Sequence, residues 1–292
     1  AKVREINSGI YWFKAEKLSG LLDKLGNNNA AGEYYLTDTV AVAEKKGVYT
    51  ADSTDVVLGA NSRSQLAALN EVARKRKLAE LMDEGVDIPL SDGIIIGKDV
   101  KIGHDTVILP NTIIKGKTVI GNGCEIGPNS YIADCVIEDN VILNNVQAHE
   151  SKVDSKAKAG PFVHLRPNTH LHSGVKIGDF VEVKNSEIGI NTCIAHLTYI
   201  GDSDVGKGVN FGCGCVTANY DGIKKYRTTI GDNAFIGCNT NLIAPVTIGD
   251  NATTAAGSTI TKNVPADSLA VERGQTRIIE HWEKNSKRIK KA

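Results

Sequence analysis

The chain repeats itself every six residues. Ile96, Ile102, Ile108, Ile114, Ile120, Ile126 and Ile132 stand six apart without a slip, and Val100, Thr106, Thr112, Thr118, Cys124 and Ser130 recur four places after the first six of them. Gly97, Gly103, Gly121 and Gly127 follow their isoleucines directly. Such a period is the signature of a hexapeptide-type parallel β-helix: each six makes one short flat strand and a corner, and three sixes make one triangular coil. Glycine suits corners whose backbone angles a Cβ would penalise. After Ile132 the phase shifts, continuing with Ile137 and Leu143. It returns with Ile188, Ile194, Ile200, Val205 and Phe211, then Ile230, Ile236, Leu242, Ile248, Thr254 and Ile260. Stacked coils bury these positions in a narrow aliphatic column, which explains why aromatic residues make up only 5% of the chain while glycine reaches 29 of 292.

Two stretches break the rhythm. Residues 149–174 hold it poorly, and ANYDGIKKYRTT at 218–229 is a polar insertion expected to leave the coil as a loop, where sites are commonly built. Four segments follow: 1–60, the end of an α/β domain; 61–90, a linker helix; 91–265, the β-helix; and 266–292, an arm with a basic tail that reads as a solvated terminus. In the first segment, Ile6, Ile10 and Trp12 alternate as in a strand entering a sheet that is not itself present, and a helix is expected from about Leu36 to Lys45. The chain reads as part of a longer protein. In the second, Leu66, Leu69, Val72, Ala73, Leu78, Leu81 and Met82 fall largely at helical spacings, with Ser62 to cap the start and Gly85 to stop the end. Arg74–Lys77 is read as a solvated face, since Glu71, Glu80, Asp83 and Glu84 flank it.

Lysine and arginine (34) balance aspartate and glutamate (34), which argues against a general nucleic-acid or membrane-surface binder. Of the cysteines, Cys124, Cys135, Cys193, Cys213, Cys215 and Cys238, only Cys213 and Cys215 are close. Two residues apart on a strand they would share a face, but small apolar fillers in a reduced compartment are the better reading. With no signal peptide, spanning apolar run or lipidation motif in the sequence, the expected location is the cytoplasm.

The polar residues from Asp179 to Tyr220 exceed what a structural repeat needs. His196 stands at their centre, in HLTY, where a filler would serve a coil equally well. An imidazole titrates near neutrality and can take the proton an attacking amine must shed. Arg166 and Lys184 could hold a phosphate, Arg by its planar fork and Lys as a point charge. Lys184 read alone is a solvated corner residue.

The landmarks EINSGI, GEYYLTD, GPF-x-x-LRP, FVEVKNS, AHLTYIGD, VNFGCG and NYDG-x-x-K resemble, over nearly the whole chain, the bifunctional enzymes that couple glucosamine-1-phosphate acetyltransferase to N-acetylglucosamine-1-phosphate uridylyltransferase. The resemblance implies a left-handed β-helix, a trimer, and acetyl transfer from acetyl-CoA to glucosamine-1-phosphate on the route to UDP-N-acetylglucosamine and the cell envelope. It makes His196 the general base. Arg166, Lys184, Tyr199, Asn210 and Lys225 become ligands of the sugar phosphate, and Cys213, Asn219, Tyr220, Cys238, Ala256 and Arg273 coenzyme contacts. Cys213 and Cys238 stand where the family often has Ala and Ser, and Ala195 where Gly or Pro is common. IPLSDG at 88–93 is looser than the family's usual entry to the β-helix. Most of the uridylyltransferase part is missing, so uridylyl transfer is not expected from this chain alone. Asn7 would contact Mg²⁺ only with that part supplied. Rival readings are a hexapeptide acyltransferase with another acceptor, a non-catalytic trimeric scaffold, and a zinc enzyme using His164, His170 and His172. Those histidines lack the paired four-residue gap expected of such a zinc site.

Overall fold

A computed structural model describes residues 5–282. The chain divides after Ala73 into two compact units. The larger is a left-handed parallel β-helix. Its strands, most of them two or three residues long, stack into three parallel faces: ten on the first (Ile95–Ile96 to Thr259–Ile260), nine on the second (Lys101–Ile102 to Val246–Ile248) and ten on the third (Val107–Ile108 to Leu269–Ala270). The six-residue period is therefore the length of one side of the prism. The seven isoleucines six apart from Ile96 to Ile132 point inward, and each is no more than 8% exposed. The second recurring set, Val100 to Ser130, is buried as well.

Residues 149–174 correct the expectation of an interruption. Val153, Ala159, Leu165, Leu171 and Ile177 are inward and six apart, and their strands pair in register with the coils on either side. The rhythm was hidden because Ala159 is a weak apolar marker and the outward positions carry His and Lys. The break at 218–229 is real: Ser203 pairs with Thr228, 25 residues on, where neighbouring coils need 17 or 18. Coil pairing also runs past both expected limits. Asp87 bridges to Val107, and Leu269 pairs with Thr253.

Corners put a residue into the left-handed region, which L residues other than Asn, Asp and Gly seldom enter. Asparagine fills many of them, among them Asn111, Asn129, Asn145, Asn168, Asn185 and Asn239. On one corner the residues are instead Phe162 (φ 57°), Phe180 (φ 58°) and Leu197 (φ 47°) on three successive coils.

Helix α1 (Ala15–Leu22) and a short helix α2 (Thr39–Val42) lie in the smaller unit. A single 3₁₀ turn, Leu36–Asp38, precedes α2, so the helix expected to Lys45 stops at Val42. The expected entering strand is absent among described residues 5–14, and Trp12 is fully exposed. Apolar alternation alone cannot form a strand without a partner edge to supply its hydrogen bonds. Helix α3 (Arg63–Asp83) starts as read, with Ser62 Oγ accepting from Gln65 N at 3.2 Å. It ends at Gly85 (φ 93°), where Val86 N donates to Leu81 O at 3.0 Å. Among the described residues no helix is long and apolar enough to cross a membrane. The basic tail from residue 283 lies outside the described residues.

Candidate active site

The register gathers the sequence-chosen residues on two sides of one corner. Asp179 pairs with His196, and the pairing of Ile194 with Phe211, continued two places, sets Cys213 beside His196. The next coils add Cys238 and Ala256 by the same count. His196, Cys213, Cys238 and Ala256 thus form a single file, one per coil, about 4.8 Å apart. All are at least partly exposed. The neighbouring file is built of Ala195, Gly212, Gly237 and Ala255. A Cβ at Gly212 would meet Cys238 N at 2.5 Å, so glycine there keeps the coils at stacking distance. Arg273 Cδ lies 4.0 Å from a Cβ built on Gly257, next to Ala256, at the far end of the file.

Arg166, Lys184 and Tyr199 project from the first face. Arg166 Nη1 donates to Glu182 Oε1 at 2.8 Å. Tyr199 lies over Gly201, whose Cβ would overlap the phenol. Lys184 sits against Lys225 of the loop; that neighbouring ammonium, and then burial, lowers the Lys184 pKa from the usual lysine value. Two ammonium groups held together form a ready anion site. Asn210 departs from this group. It is exposed on the third face, in line with Cys193 and Phe235, on the other side of the corner.

The loop is a hairpin closed by a Tyr220–Lys225 bridge, with Asp221 Oδ1 accepting from Ile223 N and Lys224 N at 2.8 Å each. Tyr220 Oη donates to Gly222 O at 2.7 Å, within the loop itself. Asn219 is buried and its amide bonds Asp202, which Asn185 also meets. The Asn219 side chain therefore shapes the base of the loop.

Two groups that sequence reading missed complete the base. Asp202 is 5% exposed and links coils through Asn185 and Asn219. Arg227 pins the loop's exit: Nε and Nη2 hold both oxygens of Asp204, at 2.9 and 2.5 Å, while Nη1 and Nη2 reach Asn185 O and Ser203 O at 3.1 and 3.0 Å. Neither shows in sequence, because each takes its meaning from partners one or two coils away. Arg227 holds the Asp204 carboxyl below its usual pKa despite burial. A depressed carboxyl contributes stability above its unfolded pKa, near 4, and loses it as pH falls through the lower folded value. The pair is partly exposed and is worth about 1 kcal/mol or less. In Arg227→Ala, amide exchange of residues 221–226 is expected to quicken. The acid-side fall in stability should shrink in urea melts from about pH 5 down to pH 2. Unchanged exchange would show that Arg227 does not hold the loop.

Cys124, Cys135 and Cys215 are buried, as fillers should be. Burial pushes the Cys135 and Cys215 thiols up to about 11. Cys213 and Cys215 do not share a face: Gly214 (φ 77°) turns the corner between them, leaving Cys213 in the outer file and Cys215 inside. The three histidines of the zinc reading part company too. His164 is on the first face beside His149, and His170 and His172 are on the second. Asn7 Oδ1 accepts from Gly9 N at 3.0 Å, and its amide donates to Tyr11 Oη at 2.5 Å. Among the described residues no cluster of three His, Cys, Asp or Glu surrounds it.

The family model described as bacterial transferase hexapeptide (six repeats) matches residues 227–262. The chain is 50% identical over 284 residues to the bifunctional protein GlmU of Acetivibrio thermocellus, and 48% identical over 284 residues to that of Clostridium acetobutylicum. Each match takes in 96% of this chain, which spans 62% of the length of those relatives. A UDP-N-acetylglucosamine acyltransferase from Francisella novicida aligns over 61% of this chain and 64% of its own, at 17% identity and a TM-score of 0.37.

Proposed function

We propose that this chain, similar over 96% of its length to bifunctional GlmU proteins of which it spans 62%, corresponds to their C-terminal part and moves the acetyl group of acetyl-CoA to the amine of glucosamine-1-phosphate, in the cytoplasm and toward UDP-N-acetylglucosamine. One observation carries the reading. At a single corner of the prism an exposed imidazole heads a file of small residues, and the adjoining face holds a lysine pair that calls for an anion. The sugar phosphate sits on Lys184, Lys225 and Arg166, with Tyr199 beneath the ring. The coenzyme runs along Cys213, Cys238 and Ala256 toward Arg273, and the Asn219–Tyr220 loop flanks its acetyl end. His196 takes the proton from the amine as its nitrogen bonds the thioester carbon; the carbon–sulfur bond then breaks and the thiolate is protonated to coenzyme A. Tyr220, whose hydroxyl serves its own loop, leaves backbone N–H groups as the donors to the oxyanion.

Asn210 and the lysine pair lie on different faces, so a second copy must bring Asn210 to the acceptor. The left-handed column Phe162–Phe180–Leu197, beside His196, is the surface that such a copy would cover, in a trimer. Uridylyl transfer is not part of this reading: Asn7 would contact Mg²⁺ only with the remainder of a uridylyltransferase domain supplied.

Thiol release from acetyl-CoA tests the reading. It should depend on glucosamine-1-phosphate and be weak with glucosamine, serine or no acceptor, since only the phosphate matches the lysines. Equal release with glucosamine would remove the lysine pair's role. No release from a folded trimer would point to another acceptor or to a scaffold.

A further inference from the structure

The outward side of the second face, opposite the acetyl-transfer corner, carries a cluster that the reaction does not use. His170 pairs in register with Lys152 on one coil and Glu187 on the next, and Asp154 and His172 stand two places along from Lys152 and His170. The two imidazole rings lie 3.9 Å apart between two carboxylates. On one side, His170 Nδ1 and His172 Nε2 both reach Glu187 Oε2, at 2.9 and 3.0 Å. On the other, His170 Nε2 meets Asp154 Oδ1 at 2.9 Å and His172 Nδ1 meets Asp154 Oδ2 at 3.3 Å.

A neutral imidazole has one N–H. If each ring gives it to Glu187, the remaining lone pairs both face the Asp154 carboxylate, an arrangement that repels unless a cation lies between. The other way to satisfy all four contacts is to protonate both rings fully. That would set two imidazolium ions 3.9 Å apart with their planes tilted by 35°, beside the Lys152 ammonium 2.9 Å from Asp154 Oδ1. Asp154 is largely buried, with 13% of its side chain exposed. Lys152 is half-exposed and lies 3.8 Å from Glu138, to which it can swing.

We propose that His170 Nε2, His172 Nδ1 and the Asp154 carboxylate bind one divalent transition-metal ion of the Zn²⁺ class, with Glu187 orienting both rings from behind. The candidate ligand atoms lie within 4.8 Å of one another, which a small shift brings to an ion about 2.0–2.2 Å from each. Two imidazoles and one carboxylate are a borderline donor set suited to Zn²⁺ or Co²⁺ rather than Mg²⁺ or Ca²⁺. The carboxylate behind the rings is the usual outer partner of metal-bound histidine. Three protein ligands leave a further position for water. Since the ligands come from adjacent coils, the ion ties them together from outside.

Co²⁺ titration of the full chain, followed by visible absorption, tests this. The expected result is one equivalent bound, ligand-field bands without thiolate-to-metal charge transfer, and loss of those bands on adding Zn²⁺. His172→Gln should abolish the bands, and Glu187→Gln should weaken binding about 10–100-fold. Both positions are solvent-accessible, and circular dichroism checks the fold of each variant. Acetyl transfer should persist in both, which separates this site from the corner. Absence of the bands, a thiolate charge-transfer band reporting the exposed cysteines, or unchanged affinity in either variant would overturn the proposal.

Discussion

His196→Ala is expected to lower kcat for acetyl transfer by about 10²–10⁴-fold while leaving KM for both substrates within about threefold. The asymmetry follows from where the contacts sit. In the proposed arrangement the sugar phosphate is held by Lys184, Lys225 and Arg166 on the first face, and the coenzyme by the file running away from His196. Neither set loses a partner when the imidazole goes. What is lost is the acceptor for the amine proton, which matters only as the nitrogen bonds the thioester carbon. Lys184→Ala should behave in the opposite sense, raising KM for glucosamine-1-phosphate more than it lowers kcat, because that ammonium meets the phosphate in the ground state and transition state alike. Steady-state rates of thiol release, with each substrate varied in turn, separate the two patterns. A kcat for His196→Ala within tenfold of the parent would take the base away from this residue.

The prism was legible in the sequence because its rule is local and repeated: seven isoleucines six apart fix the inward row, and no distant partner is needed to see it. Legibility fell wherever the inward residue was small. Ala159 made a regular coil look like a broken one, although Val153 and Leu165 kept time on either side. The cap at Ser62 and the stop at Gly85 were readable because helix ends are local too. The strand expected near Ile6 and Ile10 failed for the converse reason, since a strand is completed only by a neighbour. At the candidate site, sequence picked out the residues but not their sides. Nothing in the spacing of Lys184, His196 and Asn210 says that a corner separates the first from the last. Asp202, Arg227 and the Asp154–His170–His172 cluster are products of stacking, built from residues 16 to 42 apart in the chain.

Phe180→Glu is expected to convert the proposed trimer to a monomer and to reduce acetyl transfer by about 100-fold or more, a loss on the scale of misplacing catalytic groups, while the β-helix stays folded. Phe180 occupies a corner position where the coils of Asn145, Gly214 and Asn239 use residues that tolerate the left-handed backbone. A phenylalanine there costs about 1–2 kcal/mol, and the same cost recurs at Phe162 and Leu197. All three side chains stay more than half exposed on the single chain, the two rings stacked at 5.2 Å and nearly parallel. Strained backbone that presents contiguous apolar surface is stable in an assembly that buries it, not in an isolated prism. The column adjoins His196, so whatever covers it also walls the reaction site and can bring Asn210 to the acceptor. Phe180→Asn offers a second arm: it relieves the backbone, so the monomer should gain about 1 kcal/mol even as the assembly dissociates. Sedimentation, urea melts and thiol release on the two variants read these effects separately. A Phe180→Glu trimer with full activity would mean that the column faces solvent and that the site is complete within one chain.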